Sequence, residues 1–109
     1  MIEIEFQRDG RGRLSSVFAR GHAEFGAFPH DVVCAAVSAI LQAAYAGLTD
    51  VAKIELEGKR EPGDLEMRIP AAVRDRRDVA AIVATAEVSL RQLARQYPKA
   101  VRVRRRTRS

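Results

Sequence analysis

A stretch of residues without charge, VVCAAVSAILQAAYA at 32–46, constrains the fold of this chain more than any other feature. Its alanine content favours an α-helix. A helix with no charged side chain must be buried over most of its surface. Asp31 is a suitable N-cap for this helix, and Gly47 is a suitable residue to end it. We therefore predict a central helix that other elements must cover.

Two predicted hairpins supply that cover. Residues 2–8 alternate apolar and polar side chains, and the turn at 9–12 leads into a second strand that ends near residue 20. The alternation breaks at Ser15–Ser16, where we expect a β-bulge. Further along, AKIELE and LEMRI read as two strands joined by the turn GKREPGD. The sequence therefore predicts four strands in two antiparallel pairs.

The C-terminal third predicts a second helix from about 76 to 97, because apolar residues recur there at helical spacing and Pro98 follows. AVRV at 100–103 can add a short fifth strand. The order ββαββα favours an α+β fold with both helices packed on one face of a small sheet. At 109 residues the chain is expected to form one domain, which we assign to 1–103, followed by a basic, flexible tail at 104–109.

Positive charge is concentrated at the C-terminus. The segment VRVRRRTRS holds five arginines, which account for the excess of 19 basic over 14 acidic residues. Arginine binds phosphate, so this segment predicts a weak RNA contact through Arg104, Arg105 and Arg106, or else a solvated end without a partner.

The cysteine count and the lengths of the apolar segments bear on the cellular compartment. A single cysteine excludes an internal disulfide, and the N-terminus lacks the apolar run of a signal peptide. We also expect no segment to approach the roughly 20 apolar residues that span a bilayer. The expectation is a cytoplasmic protein that makes no membrane contact.

Cys34, the only cysteine, lies near the predicted helix start. With Asp31 as N-cap it would be the third helical residue, and its N–H would lack an intrahelical partner. The helix dipole favours a thiolate there, and the free N–H groups could stabilise an oxyanion. Such a position suits a nucleophile. The alternative is a cysteine buried in the apolar run VVCAAV as a core residue.

Two histidines are candidates for the proton-transfer partner. His22 follows Gly21 at the end of the second strand, where glycine permits a sharp turn or a close backbone approach. It is either a general base or a structural histidine whose ring is hydrogen-bonded to the backbone. His30 is a weaker rival, because it lies just outside the predicted helix. Zinc binding is disfavoured because structural sites pair cysteines at short spacing, and we predict no metal and no cofactor.

Two further residues have open roles. Ser38 lies one turn after Cys34, where it either bonds to the carbonyl four residues back, which we favour, or lines the site. Asp31 is first a cap, and it would orient the imidazole only if it also contacted His22.

The motif GHA at 21–23 followed by DVVCAAVSAI at 31–40 closely resembles that of the ribosomal-processing cysteine protease family, Prp, and the order of elements and the length agree. The resemblance implies a homodimeric cytoplasmic endopeptidase that removes a short N-terminal extension from a large-subunit ribosomal protein (bL27-type). It implies Cys34 as nucleophile and His22 as base. Matching supporting positions are Gly21, Ala23, Asp31 and Ser38.

The loop between the two motif segments helps to admit the peptide in that family. Phe25 and Phe28 in this loop either contact apolar substrate residues or simply pack within the protein. Pro29 and His30 depart from the family's usual glycine and polar residue, and the proline is expected to stiffen the loop.

Two other functions remain open on sequence alone. One is a non-catalytic module that binds RNA or the ribosome through the arginine-rich end. The other is a scaffold protein that dimerises through its uncharged helix.

Overall fold

The structure is a computed structural model that describes residues 1–21, 30–61 and 63–107. It contains a mixed sheet of five strands. The strands are β1 Ile2–Arg8, β2 Leu14–Arg20, β3 Glu57–Glu61, β4 Asp64–Arg68 and β5 Val101–Thr107. They lie in the order β3-β4-β2-β1-β5. The pairs are antiparallel except β1–β5, which is parallel.

The β1–β2 hairpin forms where the alternation predicts it. Asp9 closes its turn by accepting backbone N–H groups of Arg11 and Arg13 at 2.9 and 3.1 Å. The register then shifts: Arg8 lies opposite Leu14 while Gln7 lies opposite Ser16. The predicted bulge is confirmed at this point, because Ser15 has no partner in the ladder.

Two helices cover one face of the sheet. Helix α1 spans His30–Ala46 and runs into a π-helical turn, Gly47–Val51, whereas α2 spans Arg77–Gln96 after a short 3₁₀ turn at Ala71–Val73. Alternate β1 side chains point toward these helices and are buried, while Glu3 between them is exposed. The fully buried side chains that join sheet and helices are Ile4, Phe6, Val17, Val33, Leu48, Met67, Ile69, Val79, Val83, Leu90 and Val101. The predicted α+β architecture is confirmed.

The first strand of the second hairpin is not where the sequence predicts it. Residues 52–56 are irregular, and β3 occupies part of the predicted turn. Ala52 and Ile54 are buried, but their N–H groups donate to the carbonyls of Gly47 and Leu48 at 2.9 Å. Lys53 also has a left-handed backbone, with φ of 59°. These features hold residues 52–54 against the π-helical turn that follows α1 and away from the sheet ladder.

β5 is longer than the predicted strand at 100–103. It runs to Thr107, so Arg104, Arg105 and Arg106 lie within a strand and not in the predicted flexible tail. Each is in register with β1, opposite Glu5, Phe6 and Gln7 respectively. Pairing with a buried neighbour strand supplies backbone hydrogen bonds that composition alone does not reveal.

The expectation that no segment approaches the length of a membrane span is wrong. Val32–Val51 is long and apolar enough to cross a bilayer by length and composition alone. Val33, Val37, Leu41 and Leu48 within it are buried against the sheet and α2. We therefore interpret this segment as the core helix of the domain.

Candidate active site

A groove lies between α1 and the β3–β4 hairpin, at the end of β2. Its volume is about 540 Å³, within the range of ligand-binding clefts. The residues that line it are Ile2, Ala19, Arg20, Gly21, Cys34, Val37, Ser38, Leu41, Gln42, Arg60, Glu61, Gly63, Asp64 and Leu65. Two of the predicted motif segments, one from β2 and one from α1, therefore meet at one cleft.

Cys34 lines this groove and is half-buried. It packs against the edge of the core without being enclosed by it. Because Cβ atoms tilt toward a helix N-terminus, its side chain is directed to the start of α1. The thiol thus combines a fixed position with access from the groove, which suits a nucleophile better than a sealed core cysteine.

The start of α1 differs from the prediction. The helix begins at His30, so Asp31 lies in its first turn instead of capping it, and Cys34 is one residue beyond the four with free N–H groups. The predicted free N–H of Cys34 is therefore wrong. Aspartate is favourable both at the cap and in the first turn, because each lies near the positive end of the dipole, so the sequence does not separate the two.

Gly21 holds the end of β2 against the N-terminus of β1. Its φ is +92°, and a Cβ at this position would lie 2.5 Å from the carbonyl oxygen of Met1. Its N–H donates to the carbonyl of Gly63 at 3.0 Å, which ties the strand end to the β3–β4 hairpin. The predicted close backbone approach at Gly21 is confirmed.

Ser38 faces the groove and is exposed. Its hydroxyl accepts a hydrogen bond from Gln42 Nε2 at 2.8 Å. The sequence favours a buried serine whose hydroxyl bonds to the carbonyl four residues back. That prediction is wrong, because Ser38 lies on the face of α1 that lines the groove. Below the two polar groups, Val37 and Leu41 form an apolar floor.

The hairpin wall of the groove carries charges that the sequence did not single out. Lys59 Nζ contacts Asp64 Oδ2 at 2.7 Å, and Arg20 Nε lies 3.6 Å from Asp64 Oδ1. The hydrogen bond from Lys59 lowers the pKa of Asp64, although burial opposes this. Arg60 stacks over the ring of Tyr45, 4.4 Å from its centroid. The register places Lys59 opposite Glu66 and Glu61 opposite Asp64, so the Lys59–Asp64 pair is a diagonal contact that the segment GKREPGD alone does not predict.

Several predicted site residues lie outside the described part of the chain. They are His22, Ala23, Phe25 and Phe28, with Pro29 in the same segment. His30 and Asp31 are placed only as backbone of α1. Within residues 1–21, 30–61 and 63–107, no group of three metal-ligating side chains is placed to hold an ion.

A half-buried thiol that opens into a cleft of ligand size on a small α+β scaffold is an arrangement that a cysteine protease can use. The family comparison agrees with this class of enzyme. Residues 1–102 match the model of the family described as cysteine protease Prp, and the chain belongs to this family. It is thus a cysteine protease of the Prp family.

Known relatives and solved structures cover nearly the whole chain. The ribosomal processing cysteine proteases Prp of two Staphylococcus aureus strains, Mu50 and NCTC 8325, are 23% identical over 103 residues, 94% of this chain and 97% of theirs. The crystal structure of the S. aureus protease with a substrate peptide has a TM-score of 0.85 at 23% identity, covering 96% of this chain and 99% of that one. A Streptococcus mutans structure has a TM-score of 0.85 at 26% identity, covering 98% and 95%.

Proposed function

We propose that this chain is an endopeptidase that removes an N-terminal extension from a large-subunit ribosomal protein (bL27-type), using Cys34 as nucleophile and His22 as base. The observation that carries the proposal is the position of Cys34 in a groove that Gly21 also lines. His22 is the next residue after Gly21 in the sequence. The relatives' printed description as ribosomal processing proteases supports the substrate class.

The proposed chemistry is acyl transfer in two steps. The Cys34 sulfur, its proton taken by His22, attacks the carbonyl carbon of the scissile peptide and forms a C–S bond. The C–N bond then breaks, and the imidazolium of His22 gives its proton to the leaving amine. Water, deprotonated by the same imidazole, attacks the thioester, the carboxylic acid product is released, and the proton returns to the thiol.

The start of α1 would stabilise the negative oxygen in both steps. Its first four N–H groups lack intrahelical partners and lie at the positive end of the dipole. One well-placed donor of this kind is worth about 2.7–4 kcal/mol in the barrier. Cys34 follows these residues directly in α1.

The groove suits an extended peptide. Its floor is apolar, with Val37 and Leu41 buried and Leu65 half-buried, whereas Arg60 and Gln42 on the rim are exposed polar groups. Apolar side chains of the extension would occupy the floor, and the peptide backbone would find hydrogen-bonding partners at the rim.

A peptide spanning the extension junction of the host's ribosomal protein tests this function. We expect wild-type protein to cut it once, Cys34→Ala to cut nothing, and His22→Ala to lose most activity. His30→Ala is the matched control, because it removes the other histidine of the same segment, and it should retain cleavage within a few-fold. Mass spectrometry of the products gives the cut site. Cleavage by the Cys34→Ala protein would end the proposal.

We also propose the homodimer, and the outer surface of α1 supports it. Val32, Ala35, Ala39, Ala43 and Ala46 are all exposed on this uncharged helix. Light scattering on Ala39→Glu, compared with wild type, tests the assignment, since a buried charge would dissociate the dimer. A dimer that survives the substitution would require another surface.

The cytoplasm remains the proposed location. Weak RNA contact through Arg104, Arg105 and Arg106 also remains a proposal, although Arg105 and Arg106 already pair with Glu87 and Glu5.

A further inference from the structure

Three arginines from three elements converge on one buried carboxylate at the end of the molecule away from the groove. Glu87 of α2 is only 4% exposed. Its Oε1 accepts a hydrogen bond from Arg8 Nη2 of β1 at 3.4 Å. Its Oε2 accepts two hydrogen bonds from Arg91 of α2, at 2.9 and 3.0 Å, and one from Arg105 Nη2 of β5 at 3.1 Å. We call Arg8, Glu87, Arg91 and Arg105 the arginine cluster.

The cluster has more positive charge than its carboxylate neutralises. Burial opposes ionisation of Glu87, but the hydrogen bonds from Arg91 and Arg105 lower its pKa below the ordinary value, so it is anionic at neutral pH. One negative charge therefore faces three guanidinium groups. Within the described residues, Glu87 is the only carboxylate that pairs with any of the three.

Two of the three guanidinium groups share one acceptor atom. Arg91 and Arg105 donate to the same oxygen atom of Glu87, which keeps two like charges side by side. This arrangement leaves a local excess of positive charge that a further anion would relieve. Each guanidinium has five N–H donors in a planar fork, and only a minority of them contact Glu87.

The exposure of the three arginines decides which can reach a ligand. The Arg8 side chain is 21% exposed and lies underneath, whereas Arg91 and Arg105 are 37% and 55% exposed. Because both exposed guanidinium groups are already oriented by Glu87, they would lose little side-chain freedom on binding. The cluster is therefore preorganised on its solvent side.

We propose that Arg91 and Arg105 form a binding site for a phosphodiester group of RNA. Two planar guanidinium groups can each donate hydrogen bonds to the oxygens of a phosphate. The single negative charge of a phosphodiester would offset part of the excess positive charge of the cluster. The site differs from a diffuse contact through the run of arginines at 104–106, because Arg104 and Arg106 lie on the opposite face of β5.

The site lies apart from the peptide groove. β1 begins at Ile2, which lines the groove, and ends at Arg8, about 20 Å away at the usual rise per strand residue. A substrate that is a ribosomal protein associated with RNA could thus be held by its RNA at one end and cut at the other. RNA binding is measurable without cleavage, so failure of this proposal and failure of the peptidase proposal are distinguishable.

Fluorescence anisotropy with a labelled 20-nucleotide RNA hairpin tests the site. We expect wild-type protein to bind with a Kd of about 10⁻⁵ M at 100 mM KCl, as for sequence-independent phosphate contacts. Arg105→Gln and Arg91→Gln should each weaken binding about 5-fold to 10-fold and reduce the slope of log K against log salt by about one. Thermal unfolding of each variant shows that the measured protein is folded.

Arg102→Gln is the matched control. Arg102 is also on β5, is 49% exposed and pairs with Glu3, so its loss removes the same charge from the opposite face. We expect less than a twofold change for this variant. Equal weakening of RNA binding by all three variants would show diffuse charge attraction and would overturn the proposal of a defined site. If Arg105→Gln fails to fold, Arg91→Gln against Arg102→Gln decides alone.

Two competitors identify the ligand. Inorganic phosphate at 10 mM should displace little RNA, and polyglutamate of matched charge should compete at least tenfold less well. Displacement by inorganic phosphate would make a free anion the ligand, and equal competition by polyglutamate would make it an acidic protein. Either result overturns the assignment, as does the absence of RNA binding by wild type at 50 mM KCl.

Discussion

Substitution of Gly21 by alanine tests how the catalytic cleft is anchored. The added methyl group would lie 2.5 Å from the Met1 carbonyl oxygen, closer than such atoms approach. Met1 cannot move freely away, because the next residue, Ile2, is buried and its N–H donates to the Ala100 carbonyl at 2.8 Å. The clash must therefore displace either the end of β2 or the start of β1, both of which border the groove.

The size of the effect follows from two contributions. A left-handed backbone costs an alanine about 1–2 kcal/mol, partly offset by about 0.4–1 kcal/mol from the stiffer unfolded chain. Forcing a methyl group into packed structure adds about 1–3 kcal/mol. Gly12 provides the matched control, since its φ is +79° but a Cβ there meets nothing within 4 Å. We expect about 1 kcal/mol for Gly12→Ala and about 2–4 kcal/mol for Gly21→Ala.

Urea titration of both variants measures the free energy of unfolding. The midpoint of thermal unfolding should fall by about 4 °C or more further for Gly21→Ala than for Gly12→Ala. Peptide cleavage should fall at least tenfold for Gly21→Ala and stay near wild type for Gly12→Ala, because only Gly21 lines the groove that contains Cys34. Equal destabilisation by the two substitutions would refute the reasoning from the Met1 contact.

Three further perturbations can be checked directly. Phe6→Ala removes a side chain with no exposed surface, and urea titration should show a loss of about 3–5 kcal/mol; a loss below about 1 kcal/mol would contradict its central place in the core. Burial raises the pKa of Asp9, but backbone N–H and guanidinium groups lower it from 3.8 to about 2. Asp9→Asn should therefore unfold at lower temperature than wild type at pH 7, and the gap should close as the pH falls from about 4 to about 2; a gap independent of pH would count against it. Ser38→Ala frees the Gln42 amide at the groove rim, so steady-state kinetics should show a few-fold change in KM with kcat within twofold; a large loss of kcat alone would place Ser38 in the chemistry instead.

The elements with a strong periodic signal were predictable from the sequence. The uncharged run at 32–46 forms the predicted helix, and α2 ends within a residue of the predicted limits. The expectation that other elements cover most of the first helix is wrong, because only Val33, Val37, Leu41 and Ala44 of this run are buried. The bulge at Ser15 was visible as a break in alternation. These features depend on neighbours within a few residues of each other.

The features that were not predictable depend on distant contacts. Residues 52–56 alternate like a strand, but hydrogen bonds to the π-helical turn after α1 and the left-handed backbone of Lys53 remove them from the sheet. β5 extends through Arg104–106 because β1 lies beside it, and Glu87 sits beneath Arg105. In the cleft, Cys34 and Gly21 were found from their motif, whereas the Lys59–Asp64 pair needed the hairpin register.

The proximity of Met1 to Gly21 has a practical consequence for anyone preparing this protein. Residues added ahead of Met1 would emerge at the rim of the cleft, where a short flexible purification tag reaches a local concentration in the millimolar range. Such a tag would act as a tethered competitor and raise the apparent KM for any free peptide. A tag at the C-terminus follows β5, whose last residue, Thr107, lies roughly a strand length from the groove, and should leave the kinetics unaltered.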